Sequence, residues 1–197
     1  DWSSDVCSSD LEAVHDGNFD AILTNAAGCG STLKEYHELL EHDPDWKDRA
    51  RAFSEQMKDV TEFLASIDLN PNMGEVRGTV TYQDSCHLAH GQRVRSAPRE
   101  LLKRVPGLQF KEMPMADICC GSAGIYNVVQ TKMSLSLLAK KMESINSTKA
   151  ERIATANPGC MLQLQAGAKN LGNGQTVSHV IEILDEAYRN APAASAE

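Results

Sequence analysis

The chain has 197 residues, 42% of them hydrophobic and 23% charged, enough to bury a core and too polar for a membrane-embedded protein. Its 27 acidic and 19 basic side chains give a formal net charge of -8, and no Lys/Arg stripe with interleaved aromatics is present, which argues against nucleic acid as a partner. No apolar stretch approaches the roughly 20 residues of a spanning helix and no signal-peptide pattern is present, so a cytoplasmic protein is expected, free or held at the inner face of a membrane through a partner.

The first eleven residues, DWSSDVCSSDL, show neither apolar period nor caps. The string matches one reading frame of a common sequencing adapter, so segment 1–11 is expected to be an artefact, and the natural protein to extend further upstream. Removing Asp1, Asp5 and Asp10 takes the net charge from -8 to -5, and removing Cys7 leaves five of the six cysteines.

FDAILTN at 19–25 predicts a buried strand running through AAGCGS as a tight turn into a helix, followed by a polar helical stretch over 33–40. After Asp43-Pro44-Asp45, one helix is expected over 46–67, with Phe53, Met57, Val60 and Leu64 as its apolar face. Asn70 to Gly74 reads as a linker. GTVTYQDSC then predicts a strand ending at or near Cys86, followed by a helix at 98–103 and a strand at 108–113. Further expectations are a helix at 131–145, a strand-to-turn step in ERIATANPGC, a helix at 161–167, a strand at 176–179, a helix at 181–188 and a frayed tail over 191–197.

Strands alternating with helices predict an α/β fold with largely parallel sheets, and the cysteines then fall at strand C-termini, the edge where such sheets bind ligands. A weak internal repeat divides the chain. Thr24 to Cys29 aligns with Thr155 to Cys160, and Asp59 to Leu64 with His179 to Leu184. Two units are expected, an incomplete one over 12–74 and a complete one over 75–190.

Six cysteines in a chain of this size point to metal or redox chemistry rather than a disulfide scaffold. Between Cys86 and Cys119 lie 32 residues, Cys119 and Cys120 are adjacent, and 39 residues precede Cys160. Soft thiolates suit iron, and adjacent cysteines can serve one cluster only on a bent turn, which Gly121 permits. Gly28 and Gly159 let backbone come close to sulfide. Ser122 and the N–H groups beside it are candidate donors to cluster sulfur. His87 and His90 read as surface groups at a capped helix start, and His179 as a structural histidine. Lys34-Glu35 and Arg99-Glu100 read as surface charges. GSAG after Cys120 lacks the frame of a phosphate loop.

The spacing, together with AAGCGSTLKEY, DSCHLAHGQRVRSAPRELL, CCGSAGIYN and NPGCMLQLQAG, resembles the cysteine-rich CCG module of heterodisulfide reductase B-type subunits and, more closely, of the glycolate oxidase iron-sulfur subunit. The resemblance runs from about Phe19 to Arg189. It implies two Rossmann-like CCG units, the first incomplete, and an iron-sulfur cluster, of the 4Fe-4S type, held by Cys86, Cys119, Cys120 and Cys160. It further implies electron relay from a FAD-containing glycolate-oxidising subunit toward a quinone-linked acceptor. The module's remaining cysteine is replaced by Asn157, expected beside the cluster with Gly121, Ser122 and Gly159, while Cys29, with Ala26 at its companion position, is not expected to ligate. The alternatives are a structural zinc site on the same four thiols and thiol-disulfide exchange at Cys119-Cys120, the latter disfavoured by the strained ring it would close.

Overall fold

The computed structural model describes residues 9–14, 17 and 19–192. Residues 1–8, with Cys7, and tail residues 193–197 lie outside the described residues. Residues 9–14 form a helical turn whose Leu11 is buried with Tyr36, Leu40 and Phe53, and whose Asp10 accepts a hydrogen bond from Tyr36 Oη at 2.6 Å. The boundary expected after Leu11 therefore falls inside a packed turn.

The first unit runs β1 (Ile22–Thr24), α1 (Ala27–Lys34), α2 (Tyr36–Leu39), α3 (Lys47–Gln56), β2 (Met57–Asp59) and α4 (Val60–Ser66). Two expectations are corrected here. AAGCGS is not a tight turn, since Ala27 opens α1 and places Gly28 and Cys29 in its first turn. The single helix expected over 46–67 is two helices around a strand: Met57 to Asp59 pair in parallel with Ile22 to Thr24. The 4, 3, 4 spacing of Phe53, Met57, Val60 and Leu64 suits helix on either side, and pairing with a distant strand overrides it at 57–59. Asp59 then caps α4, accepting from Thr61 N–H while Glu62 receives the Asp59 N–H.

The second unit runs β3 (Gly78–Tyr82), a π-helical turn (His87–Gly91), α5 (Ser96–Arg104), β4 (Leu108–Phe110), α6 (Tyr126–Val129), α7 (Thr131–Ser147), β5 (Arg152–Thr155), α8 (Pro158–Leu171), β6 (Thr176–His179) and α9 (Val180–Arg189). All four strands are parallel, in the order β4-β3-β5-β6. β3 ends at Tyr82, four residues before Cys86 rather than at it. Alternating side chains feed two cores. Val80, Tyr82 and Ala154 pack with Leu101, Leu102 and Ile183, whereas Ile153 packs with Leu138, Met142 and Leu164. A covered parallel sheet is buried on both faces, and each fully buried aliphatic side chain such as Ile153 contributes about 1.5–3 kcal/mol.

The sequence repeat is also a structural one. β1 leads into α1 as β5 leads into α8, and Asp59 and His179 occupy the same place, each ending a strand and capping the next helix through a capping box. His179 Nδ1 accepts from Ile181 N–H at 3.2 Å, which gives this histidine a structural task. No described helix is long and apolar enough to cross a membrane.

Candidate metal centre

From β3 the chain crosses to β4 on one side and then returns past β3 to β5 on the other, so the strand order reverses between β3 and β5. Loops after adjacent strands diverge at such a point and leave a crevice. Cys86 follows β3, Cys119 and Cys120 follow β4, and Cys160 sits in the first turn of α8 after β5. A cavity of about 350 Å³ opens there, lined by all four, by Gly28 and Cys29 from α1, and by Ser122, Asn157 and Gly159. The structure thus brings together every residue singled out for the centre except Gly121, whose N–H donates to Cys119 Sγ at 3.3 Å from just behind.

The four sulfurs act on one another in sequence, Cys86 on Cys119, Cys119 on Cys120, and Cys120 on Cys160. Hydrogen bonds from Cys120 and Cys86 hold Cys119 well below the ordinary thiol range, and those from Cys120, Asn157 and Ser85 lower Cys160. Cys86 and Cys120 are pushed up by the neighbouring sulfurs and by burial. Ligation removes the remaining protons, since thiolate is the ligating form. All five described cysteines are free of disulfides, and among the described residues no three His, Cys, Asp or Glu side chains close on one point as ligands of a single ion do.

Gly121 has φ +91°, and a Cβ there would lie 2.5 Å from Ser134 O, so only glycine fits the bend that presents the cysteine pair. Added Cβ atoms at Gly159 and Gly28 would stand 3.3 Å from Ser122 Oγ and 3.7 Å from Asn157 Oδ1 respectively, so bare backbone forms part of the cavity wall. Soft donors, a glycine-lined cradle and N–H groups aimed at sulfur fit an iron-sulfur group.

Polar residues that sequence reasoning passed over hold this wall. Thr155 Oγ1 donates to Gln83 Oε1 at 2.8 Å and pairs with Ser85 Oγ at 3.0 Å, all three being buried. Ser134 Oγ donates to Gly121 O at 2.7 Å and accepts from Gln163 Nε2 at 3.0 Å. The available signal was polar residues interrupting otherwise apolar strand ends, as in YQDSC.

His87 is exposed but lines the cavity, its Nδ1 3.6 Å from Cys86 Sγ, whereas His90 pairs with Arg95 at 3.0 Å away from the sulfurs. Arg99 is not a free surface charge. Its guanidinium forks onto Asp84 with two 2.8 Å bonds and reaches Glu112 at 2.9 Å, and Lys34 pairs with Glu62 at 2.7 Å.

A covered parallel sheet with four linked thiols at its switch point defines a cysteine-rich α/β domain. The model of the CCG cysteine-rich domain matches residues 80–165. The chain is 43% identical over 187 residues to the "Probable glycolate oxidase iron-sulfur subunit" of Bacillus subtilis, covering 93% of this chain and 42% of that protein. It is 33% identical over 165 residues to "Lactate utilization protein A" of Bacillus pumilus and 30% identical over 169 residues to that of Oceanobacillus iheyensis, covering 83% and 85% of this chain and 69% of each relative. The chain belongs to the family of lactate utilization protein A, is homologous to the glycolate oxidase iron-sulfur subunit, and carries a CCG cysteine-rich domain. It spans less than half the length of the Bacillus subtilis relative.

Proposed function

We propose that this chain is the cluster-bearing part of an electron-transfer subunit that relays electrons from a FAD-containing, glycolate-oxidising subunit toward a quinone-linked acceptor at the cytoplasmic face of the membrane. The observation that carries the reading is the convergence of Cys86, Cys119, Cys120 and Cys160 on one cavity at the switch point. The name of the Bacillus subtilis relative supplies the substrate class. In this reading residues 12–74 are the rear part of a first CCG unit and 75–190 a complete second Rossmann-like unit.

An iron-sulfur cluster, of the 4Fe-4S type, would supply one-electron chemistry when bound. The four cysteines would hold it. Gly121 fixes the bend immediately after the paired thiols, Gly159 keeps the wall close, and Ser122 and Asn157 place polar hydrogens near sulfur. The apolar side chains around Cys120 and Cys160 keep water from the inner wall.

Anaerobic purification or reconstitution with iron and sulfide, followed by iron and zinc analysis and EPR, tests this. A brown protein with stoichiometric iron and a reducible signal is expected. A colourless protein that retains zinc in preference to iron would replace the reading with a structural zinc module.

A further inference from the structure

One lysine is buried beneath the cysteine pair. Lys141, on α7, is 1% exposed, and its Nζ donates to Met115 O and Ala116 O at 3.0 Å each. Ala116 O also accepts from Asp84 N–H at 3.0 Å, so this ammonium ties the segment entering Cys119 to the loop that carries Cys86. Ser134, two turns earlier on the same helix face, grips Gly121 O beyond the pair. A single helix face therefore clasps the Cys119-Cys120 turn at both ends, neutral at one and cationic at the other. No carboxylate forms an ion pair with Lys141 among the described residues; burial works against its charge and lowers its pKa, while Cys120, Asp84, Asp117 and Cys119 favour the charge.

Burying an ammonium without an ion-pair partner is costly, and helix packing alone would accept Met or Leu at this position. The charge is useful if the turn carries negative charge. A site ligated by four thiolates is anionic, and its reduced form holds one more electron and so one more negative charge than its oxidised form. A fixed cation in a low-dielectric interior favours the more negative state.

We propose that Lys141 is a positioning residue for the Cys119-Cys120 turn and the fixed cation that raises the reduction potential of the group held there; this rests on the iron-sulfur reading above. The test is reductive titration with dithionite, followed by visible absorption and EPR, of the reconstituted parent chain, Lys141→Met and Lys141→Gln. Far-UV circular dichroism of the metal-free chains reports folding. Both variants are expected to fold and to titrate at more negative potentials than the parent. Gln can still donate to the two carbonyls, so an iron-loaded Lys141→Gln with the parental potential would overturn the proposal. Failure of both variants to fold would also overturn it, leaving a lysine needed for packing. Native-like variants that take up no iron would support it, because the site then assembles only over the cation. A parent chain that binds no iron would instead defeat the functional reading itself, and Lys141's role with it.

Discussion

The amide of Asn157 spans the seam between the two units: its Oδ1 accepts from Gly28 N–H at 3.1 Å, while its Nδ2 donates to Cys160 Sγ at 3.5 Å. Beside it, Ala27 N–H donates to Ala156 O at 3.3 Å, so the start of α1 is fastened to the loop before α8 by two bonds. Asn157 thus serves both the seam and a sulfur. Asn157→Leu should cost about 1–3 kcal/mol by leaving the Gly28 N–H without its acceptor, read from chemical denaturation of the metal-free chain. Asn157→Cys instead adds a thiolate, and after anaerobic reconstitution should give an altered EPR spectrum and a lower potential. A parental spectrum and potential would mean that position 157 does not face the cluster.

Gly121→Ala should destabilise the chain by about 2 kcal/mol or more and impair iron uptake. The left-handed backbone is strained for alanine, and the added Cβ meets a backbone oxygen that α7 cannot readily move. Thermal denaturation and iron content together check this. Wild-type iron stoichiometry in Gly121→Ala would show that the bend is not needed by the ligands.

Cys119→Ala, Cys120→Ala and Cys160→Ala should each lose or degrade the cluster, because three thiolates leave an iron open to water. Cys29 lines the same cavity but is not among the four sulfurs that act on one another, and Cys29→Ala should keep parental iron content and spectrum. Bleaching of Cys29→Ala as strong as that of Cys120→Ala would make it a ligand.

Asp59 is fully buried, and desolvation raises its pKa above the ordinary 3.8 despite hydrogen bonds from Thr61 and the nearby His179 and Lys34. Between the unfolded value and the raised folded one, the native state binds more protons than the unfolded chain, so this group's contribution to stability falls as pH rises through that window. Asn caps a helix about as well as Asp. Asp59→Asn should therefore gain on the parent as pH rises above about 4, measured by urea denaturation at several pH values. A parent that gains on the variant over that window would reverse the sign and refute the burial argument.

Much of the centre was legible because thiol spacing and strand periodicity are local. GTVTY, RIAT and TVSH alternate over two cores, the Ile183 and Leu184 face marks α9, and a Cys-Cys-Gly step requires a bend whatever surrounds it. Chain order alone placed Cys86, the cysteine pair and Cys160 after three different strands. The pairing of Asp59 with His179 as matching caps was visible as a faint repeat.

What the linear pattern left open depends on partners remote in sequence. The strand at 57–59 exists because Ile22 to Thr24 lie beside it, and a three-residue strand has too little pattern of its own to outweigh helical spacing on both sides. Arg99 became an ion-pair hub only when α5 met the segments that follow β3 and β4, and Lys141 a buried cation only when α7 met Met115 and Ala116. By itself the sequence determined which residues carry thiols and that they come after strands, since both follow from residue chemistry and local period. Only the tertiary structure decided that β3 and β5 are neighbours with the order reversing between them, because strand order is fixed by packing helices on both faces of a twisted sheet, and that reversal gathers the four sulfurs around one cavity.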